Sequence, residues 1–184
     1  MRKPLPDLSF VGQMDWARLA AYIDGEGAIL INRHSVKERI RKSMWLRVLV
    51  TNTDVRLPMW ILNTFRLGAV SSQDKSHRNA NWKPAYKWLA SCQAAEAIVK
   101  GCVPYFVLKQ EEAAIALAFQ ATLGGPGRPV PRDVHDMREL LRLKLHGLKR
   151  VTTQFDASPN EYREPRRTGP KPRLSHDAST NMTH

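Results

Sequence analysis

Trp16, Leu19, Ala20 and Ile23 recur at helical intervals, which predicts a helix with one apolar face. That pattern runs into two glycines, Gly25 and Gly27, on either side of Glu26. Glycine weakens a helix and accepts the dihedrals of a C-terminal cap, so the chain is expected to leave the helix around Glu26. Asp15 stands where it can cap the start. Residues 28–32 then read as a strand. The next strand, residues 45–52, alternates cleanly: Leu46, Val48 and Val50 fall on one side, and Trp45, Arg47 and Leu49 on the other. The first side is expected to face a helix-covered core, and the two strands make a hairpin with a basic connector.

Thr53 or Asp54 offers the N-cap of a short helix over 55–65, whose inward positions are Leu57, Trp60, Ile61 and Phe65. Pro58 falls near its first turn, where a missing N–H removes little. Residues 69–75 and 82–90 predict a third and a fourth strand, the latter with Trp82, Tyr86 and Trp88 on an aromatic face. Ser91 or Gln93 opens a small helix that is interrupted at Cys102-Val103-Pro104-Tyr105. A longer helix over 107–123 then stops at the glycine-rich stretch 124–127. This order predicts an α+β fold, an αββαββα-type unit. Its four-stranded antiparallel sheet is saddle-like, with helices on one face and the other face open to a ligand.

Past a Pro-rich linker, residues 133–150 predict an amphipathic helix with Val134, Met137, Leu141, Leu145 and Leu148 inward and basic residues outward. From residue 151 apolar content collapses. The expected organisation is an arm over 1–13, one domain over 14–125, a helical extension over 126–150 and a basic, Pro-rich tail over 151–184 that either touches phosphates or is simply solvated.

Charge narrows the function. The 184 residues carry a formal net charge of +12, a surplus that points first to phosphate backbones. A membrane partner is not expected, because no apolar run approaches a spanning length. No secretory signal is expected either, which suggests an intracellular protein. Cys92 and Cys102 lack partner histidines at metal spacing and read as reduced thiols. Glu26 is different: an acid at a helix C-terminus is electrostatically misplaced unless a cation joins it.

The stretch Leu19-Ala20-Ala21-Tyr22-Ile23-Asp24-Gly25-Glu26-Gly27 resembles the signature of the LAGLIDADG homing endonuclease family, with Ala21 where the family usually has glycine. Three later segments resemble the same family in its order: Val50-Thr51-Asn52 followed by Arg56, the strand with Tyr86 and Trp88, and Val103-Pro104-Tyr105-Phe106-Val107-Leu108-Lys109. The resemblance implies a site-specific endonuclease that hydrolyses double-stranded DNA with Mg²⁺. The alternatives on the same fold are an intron RNA-splicing maturase and a non-cleaving DNA-binding regulator. By this resemblance Glu26, Asn52, Arg56 and Lys109 are catalytic, Glu26 and the Gly25 carbonyl hold metal, and Asp24 supports the helix junction.

The signature occurs once, so the resemblance also implies a homodimer, with Leu19, Ala20 and Ile23 at the seam and a pseudo-palindromic target. On the open strand face Asn32, His34, Arg47, Ser71 and Gln73 are expected to read base edges, and Arg39, Arg41 and Lys42 to grip phosphate. Arg56 and Lys109 also sit at expected helix N-termini, where a cation opposes the helix dipole.

Overall fold

The computed structural model describes residues 4–33, 43–73, 83–124 and 130–151, with side chains to residue 148. Helix α1 (Gln13–Glu26) opens on Gly12, whose carbonyl accepts the N–H groups of Asp15 and Trp16 at 3.0 and 3.2 Å. Asp15 therefore lies inside the first turn rather than at the cap, where its charge still complements the dipole. At the other end the helix runs through Gly25 and stops after Glu26, where the chain was expected to leave it. Gly27 ends it, its N–H bonded to the carbonyl of Ile23. Here the helix meets the sheet so closely that a Cβ on Gly27 would lie 2.6 Å from Ile23 Cα and 2.9 Å from the carbonyl oxygen of Leu49.

The chain passes from α1 directly into β1 (Gly27–Arg33), which pairs with β2 (Met44–Asn52). Helix α2 (Arg56–Phe65) then carries the chain over to β3 (Ala69–Gln73), and β4 (Ala85–Ser91) returns between β2 and β3. The resulting antiparallel four-stranded sheet has the order β1-β2-β4-β3. Trp82, expected in the last strand, lies outside the described residues. Helix α3 (Cys92–Cys102), a 3₁₀ turn at Val103–Tyr105, α4 (Gln110–Ala121) and α5 (Arg132–Val151) complete the unit, an α+β fold with a four-stranded antiparallel sheet, flanking helices and an additional C-terminal helix.

Alternation in the sequence corresponds to sidedness in the sheet. Ile29, Ile31, Leu46, Val48, Val50, Trp88 and Ala90 are buried against the helices. An aromatic chain ties α1 to α2: Trp16 meets Phe65 edge-on at 4.9 Å, Phe65 meets Trp60 at 6.1 Å, and Trp60 meets Tyr22 at 5.9 Å. Trp16 also presses on α3 at Gly101, where a Cβ would come within 2.3 Å of the indole. Two expectations are corrected by this packing. Leu19, Ala20 and Ile23 are each fully buried in the core of the single chain, so their side chains are not available for a seam with a second copy. The solvent-facing residues of α1 are instead Gln13, Met14, Arg18, Ala21, Tyr22, Gly25 and Glu26.

The second correction concerns α5. Its basic residues were expected on the outer side, yet Arg138 turns in to the end of α4. There it donates to the hydroxyl and the carbonyl of Thr122 at 3.0 and 2.6 Å, a cation where carbonyls point outward. Arg142 and Arg33 of β1 both reach Glu139, at 2.7 and 3.2 Å, and Arg142 first, then Arg33, holds that carboxyl below its ordinary range. Leu145 is buried on the same side, whereas Met137, expected inward, is half exposed. Among the described residues no helix is long and apolar enough to cross a membrane.

Candidate functional site

Helix α1 delivers three signature residues to one end of the sheet, and each meets a different environment. Asp24 turns back toward the segment before α4. Its Oδ2 accepts the backbone N–H groups of Val107 and Leu108 at 2.7 and 3.2 Å, and its Oδ1 that of Lys109 at 3.0 Å. Three amides on one carboxylate make Asp24 a structural anchor, the role implied for it. Because residues 107–109 are held this way, α4 begins at Gln110, later than its periodicity suggested.

Lys109 resolves a second problem at the same place. No basic residue stands in the last turn of α1, where helix carbonyls concentrate partial negative charge. The Lys109 ammonium donates to the Asp24 carbonyl at 2.7 Å and supplies the missing cation. Its awkward position at the start of α4 is thus offset by its service to α1.

Glu26 is exposed, and its Oε2 accepts the side-chain amide of Asn52, at the end of β2, at 2.5 Å. The other end of that amide is occupied as well: Asn52 Oδ1 accepts the Asp54 N–H at 2.7 Å. With both ends engaged, the orientation of the Asn52 side chain is determined. Asp54 in turn holds Arg56 through Nε and Nη2. These bonds from the Arg56 side chain, then its backbone N–H, pull the Asp54 carboxyl down to about 2. Glu26, Asn52, Asp54 and Arg56 form one continuous hydrogen-bonded chain. Arg56, Asp54 and Asn52 also line an open cleft of about 640 Å³ with Arg18, Tyr22, Leu57 and Trp60.

Neither Thr53 nor Asp54 is the N-cap expected of α2: Val55 takes that place without a side-chain cap bond, and Asp54 stands one residue before it. The signal for its larger role was present: an acid two residues before an arginine, at the N-terminus of a helix whose dipole favours the acid and not the base.

Four of the five residues expected to read base edges lie on the open face of the sheet. Strand register puts Asn32, Arg47, Ser71 and Gln73 on one side, opposite to the buried set, and adds Thr51 and Lys87, which sequence reading passed over. Ser71, Lys87 and Thr51 are direct cross-strand neighbours. Trp45 and Leu49 share this face. His34, Arg39, Arg41 and Lys42 lie outside the described residues.

Whether these groups suit a divalent metal follows from the donor set. Among the described residues no three His, Cys, Asp or Glu side chains converge. One chain offers the exposed Glu26 carboxylate and, at the helix end, the Gly25 carbonyl, with open space where a Gly25 side chain would be. Both are hard oxygen donors of the type Mg²⁺ takes, and an ion that keeps several waters and binds substrate phosphate needs few from protein. The residues fit as part of such a shell.

No family model matches this chain, and no curated protein is similar to it in sequence. Solved structures do resemble it. The homing endonuclease I-CvuI, in complex with the I-CreI target, superposes with a TM-score of 0.63 at 18% identity, covering 74% of this chain and 82% of that one. The archaeal intron-encoded homing endonuclease I-Vdi141I, complexed with DNA, gives 0.61 at 8% identity, covering 73% and 84%. The LAGLIDADG homing endonuclease I-GzeII, in complex with its DNA target, gives 0.54 at 13% identity, and there this chain covers 44% of the longer protein. At these identities the likeness establishes the fold, which is the one these DNA-bound endonucleases share.

Proposed function

We propose that this chain is one subunit of a homodimeric, site-specific endonuclease that hydrolyses double-stranded DNA with Mg²⁺. The observation that carries the reading is the Asn52–Glu26 hydrogen bond at the C-terminal end of α1, in a chain with this fold. Glu26 and the Gly25 carbonyl are the residues that would hold the metal. When bound, such an ion neutralises phosphate charge and lowers the pKa of bound water.

The chain's own groups supply the rest of the chemistry. Asn52 fixes one oxygen of Glu26 and leaves the carboxylate oriented toward solvent. Arg56 presents a planar fork of N–H donors, the geometry that matches non-bridging phosphate oxygens. Lys109, whose ammonium donates to the Asp24 carbonyl, would supply a second cation against the charge that builds up as the P–O bond breaks.

The homodimer rests on the signature occurring once in the sequence and on the site itself, where among the described residues one exposed carboxylate, Glu26, stands at the end of α1. With Leu19, Ala20 and Ile23 in the core, the helix face that suits pairing is Met14, Arg18, Ala21 and Gly25, and a twofold axis there brings two Glu26 side chains together. The open sheet faces then form the DNA surface. Asn32, His34, Arg47, Ser71 and Gln73 read base edges of a pseudo-palindromic site, and Arg39, Arg41 and Lys42 hold phosphates. Such a protein works inside the cell, with its DNA.

Selection of bound duplexes from a random pool, followed by incubation with Mg²⁺, tests the reading. Glu26→Gln should reduce cleavage by about a hundredfold or more while leaving duplex affinity nearly unchanged. A variant that still cuts at the native rate would remove Glu26 from the mechanism. Native protein that binds duplex and never cuts would point to the non-cleaving regulator.

A further inference from the structure

The guanidinium of Arg56 already has an anionic partner. Nε lies 3.0 and 2.9 Å from the two Asp54 carboxylate oxygens, and Nη2 lies 2.5 Å from Oδ2. Asp54 Oδ1 also accepts the Arg56 backbone N–H at 2.9 Å, so the pair closes on itself at the start of α2. The Arg56 side chain is 88% exposed and that of Asp54 45%, so no wall of the cleft fixes the guanidinium. Its orientation comes from Asp54. An exposed pair of this kind is weak in water, and a phosphodiester presents two oxygens to the same fork that the carboxylate occupies.

We propose that Asp54 is a positioning residue for Arg56: a resident counter-ion that holds the guanidinium at the mouth of the cleft and is displaced by a DNA phosphate. The proposal rests on the reading of this chain as a DNA-binding enzyme. It adds a competition, because every phosphate that engages Arg56 must first displace a tethered anion. Backbone contacts made out of register are thereby disfavoured, since only a phosphate seated fully in the cleft recovers both hydrogen bonds of the fork. The Asp54 backbone N–H, bonded to Asn52 Oδ1, keeps the displaced carboxylate beside the Asn52–Glu26 pair.

Asp54→Asn separates this role from the turn that precedes α2, because the N-cap is Val55 and asparagine keeps an oxygen that can accept the Arg56 N–H while lacking the charge. Binding of a random-sequence duplex should be measured over a range of salt, without divalent metal, for native protein and variant. The expected result is an unchanged melting temperature, several-fold tighter binding at low salt and a log–log salt slope steeper by about 0.9 per chain, the equivalent of one added phosphate contact. In the native protein the Arg56 Nε–H resonance should shift when duplex is added. Asp54→Ala should share the steeper slope with a lower melting temperature.

A folded Asp54→Asn protein with native affinity and slope overturns the proposal and leaves Asp54 as an acceptor for the Arg56 N–H alone. If native protein binds no duplex, the DNA reading fails and the proposal falls with it. Native binding with unchanged variant slopes removes only the counter-ion.

Discussion

Asp24 and Glu26 are two residues apart on one helix, yet their surroundings assign them different work. Asp24 takes three backbone N–H bonds and points into the protein, whereas Glu26 takes one side-chain bond and faces solvent. Asp24→Asn tests the first assignment. An amide has one acceptor oxygen, so one of its two ends must set donor against donor at residues 107–109. A cost of about 1–3 kcal/mol is expected, which corresponds to a fall of roughly 3–8 °C in melting temperature for a unit of this size. Cleavage should fall further than stability, because the Lys109 ammonium is placed by the same segment. Differential scanning calorimetry and a cleavage assay on one preparation check both. At this scale the motif made Glu26 and Asn52 legible, because residue type and order carry the resemblance. Asp54 was not legible beyond a cap, since its role depends on where the Arg56 head folds back.

At the scale of elements, the junction of α1 with β1 is the tightest point in the site. Gly27→Ala pushes a methyl against Ile23 Cα and the Leu49 carbonyl, both backbone, so neither can turn aside. Loss of about 2–3 kcal/mol is expected. Gly25→Leu is the contrasting case: nothing lies within 4 Å of that Cβ in the single chain, and leucine is a better helix former than glycine by about 0.5–1 kcal/mol. The variant should melt at or above the native temperature and fail to dimerise, because the proposed partner helix passes over this position. Sedimentation velocity beside a melting curve checks the pair. A Gly25→Leu protein that stays dimeric would move the interface off this face. Strand sidedness was read correctly from alternation. Helix starts were read less well: α1 opens at Gln13, before Asp15, and α4 only after Lys109, the latter because the remote Asp24 holds residues 107–109.

Taken as a whole, the molecule divides into a unit over Met1–Thr153 and the segment Gln154–His184. The segment looks basic, with Arg163, Arg166, Arg167, Lys171 and Arg173, but Asp156, Glu161, Glu164 and Asp177 nearly balance these, so most of the net charge of +12 belongs to the larger unit. Removing residues 154–184 should therefore alter the salt slope of duplex binding by less than about 1, the equivalent of a single phosphate contact. A large drop in slope would show that its arginines engage DNA while its acids stay clear. Filter binding across salt concentrations distinguishes the two.

What the sequence determined by itself was periodic or compositional: an α+β order of elements, which face of each strand is buried, and a surplus of positive charge; Glu26, Asn52, Arg56 and Lys109 it offered as candidates. These are legible because burial repeats every two residues in a strand and every turn in a helix, whatever the chain does elsewhere. Tertiary structure decided the rest. It placed Leu19, Ala20 and Ile23 in the core and left Ala21 and Gly25 open, because neighbouring helices occupy one side of α1 and not the other. It also brought Asn52 to Glu26 across 26 residues, and the amides of residues 107–109 to Asp24 across 83 to 85. Such pairings depend on where two separately formed elements come to rest, which local pattern does not encode.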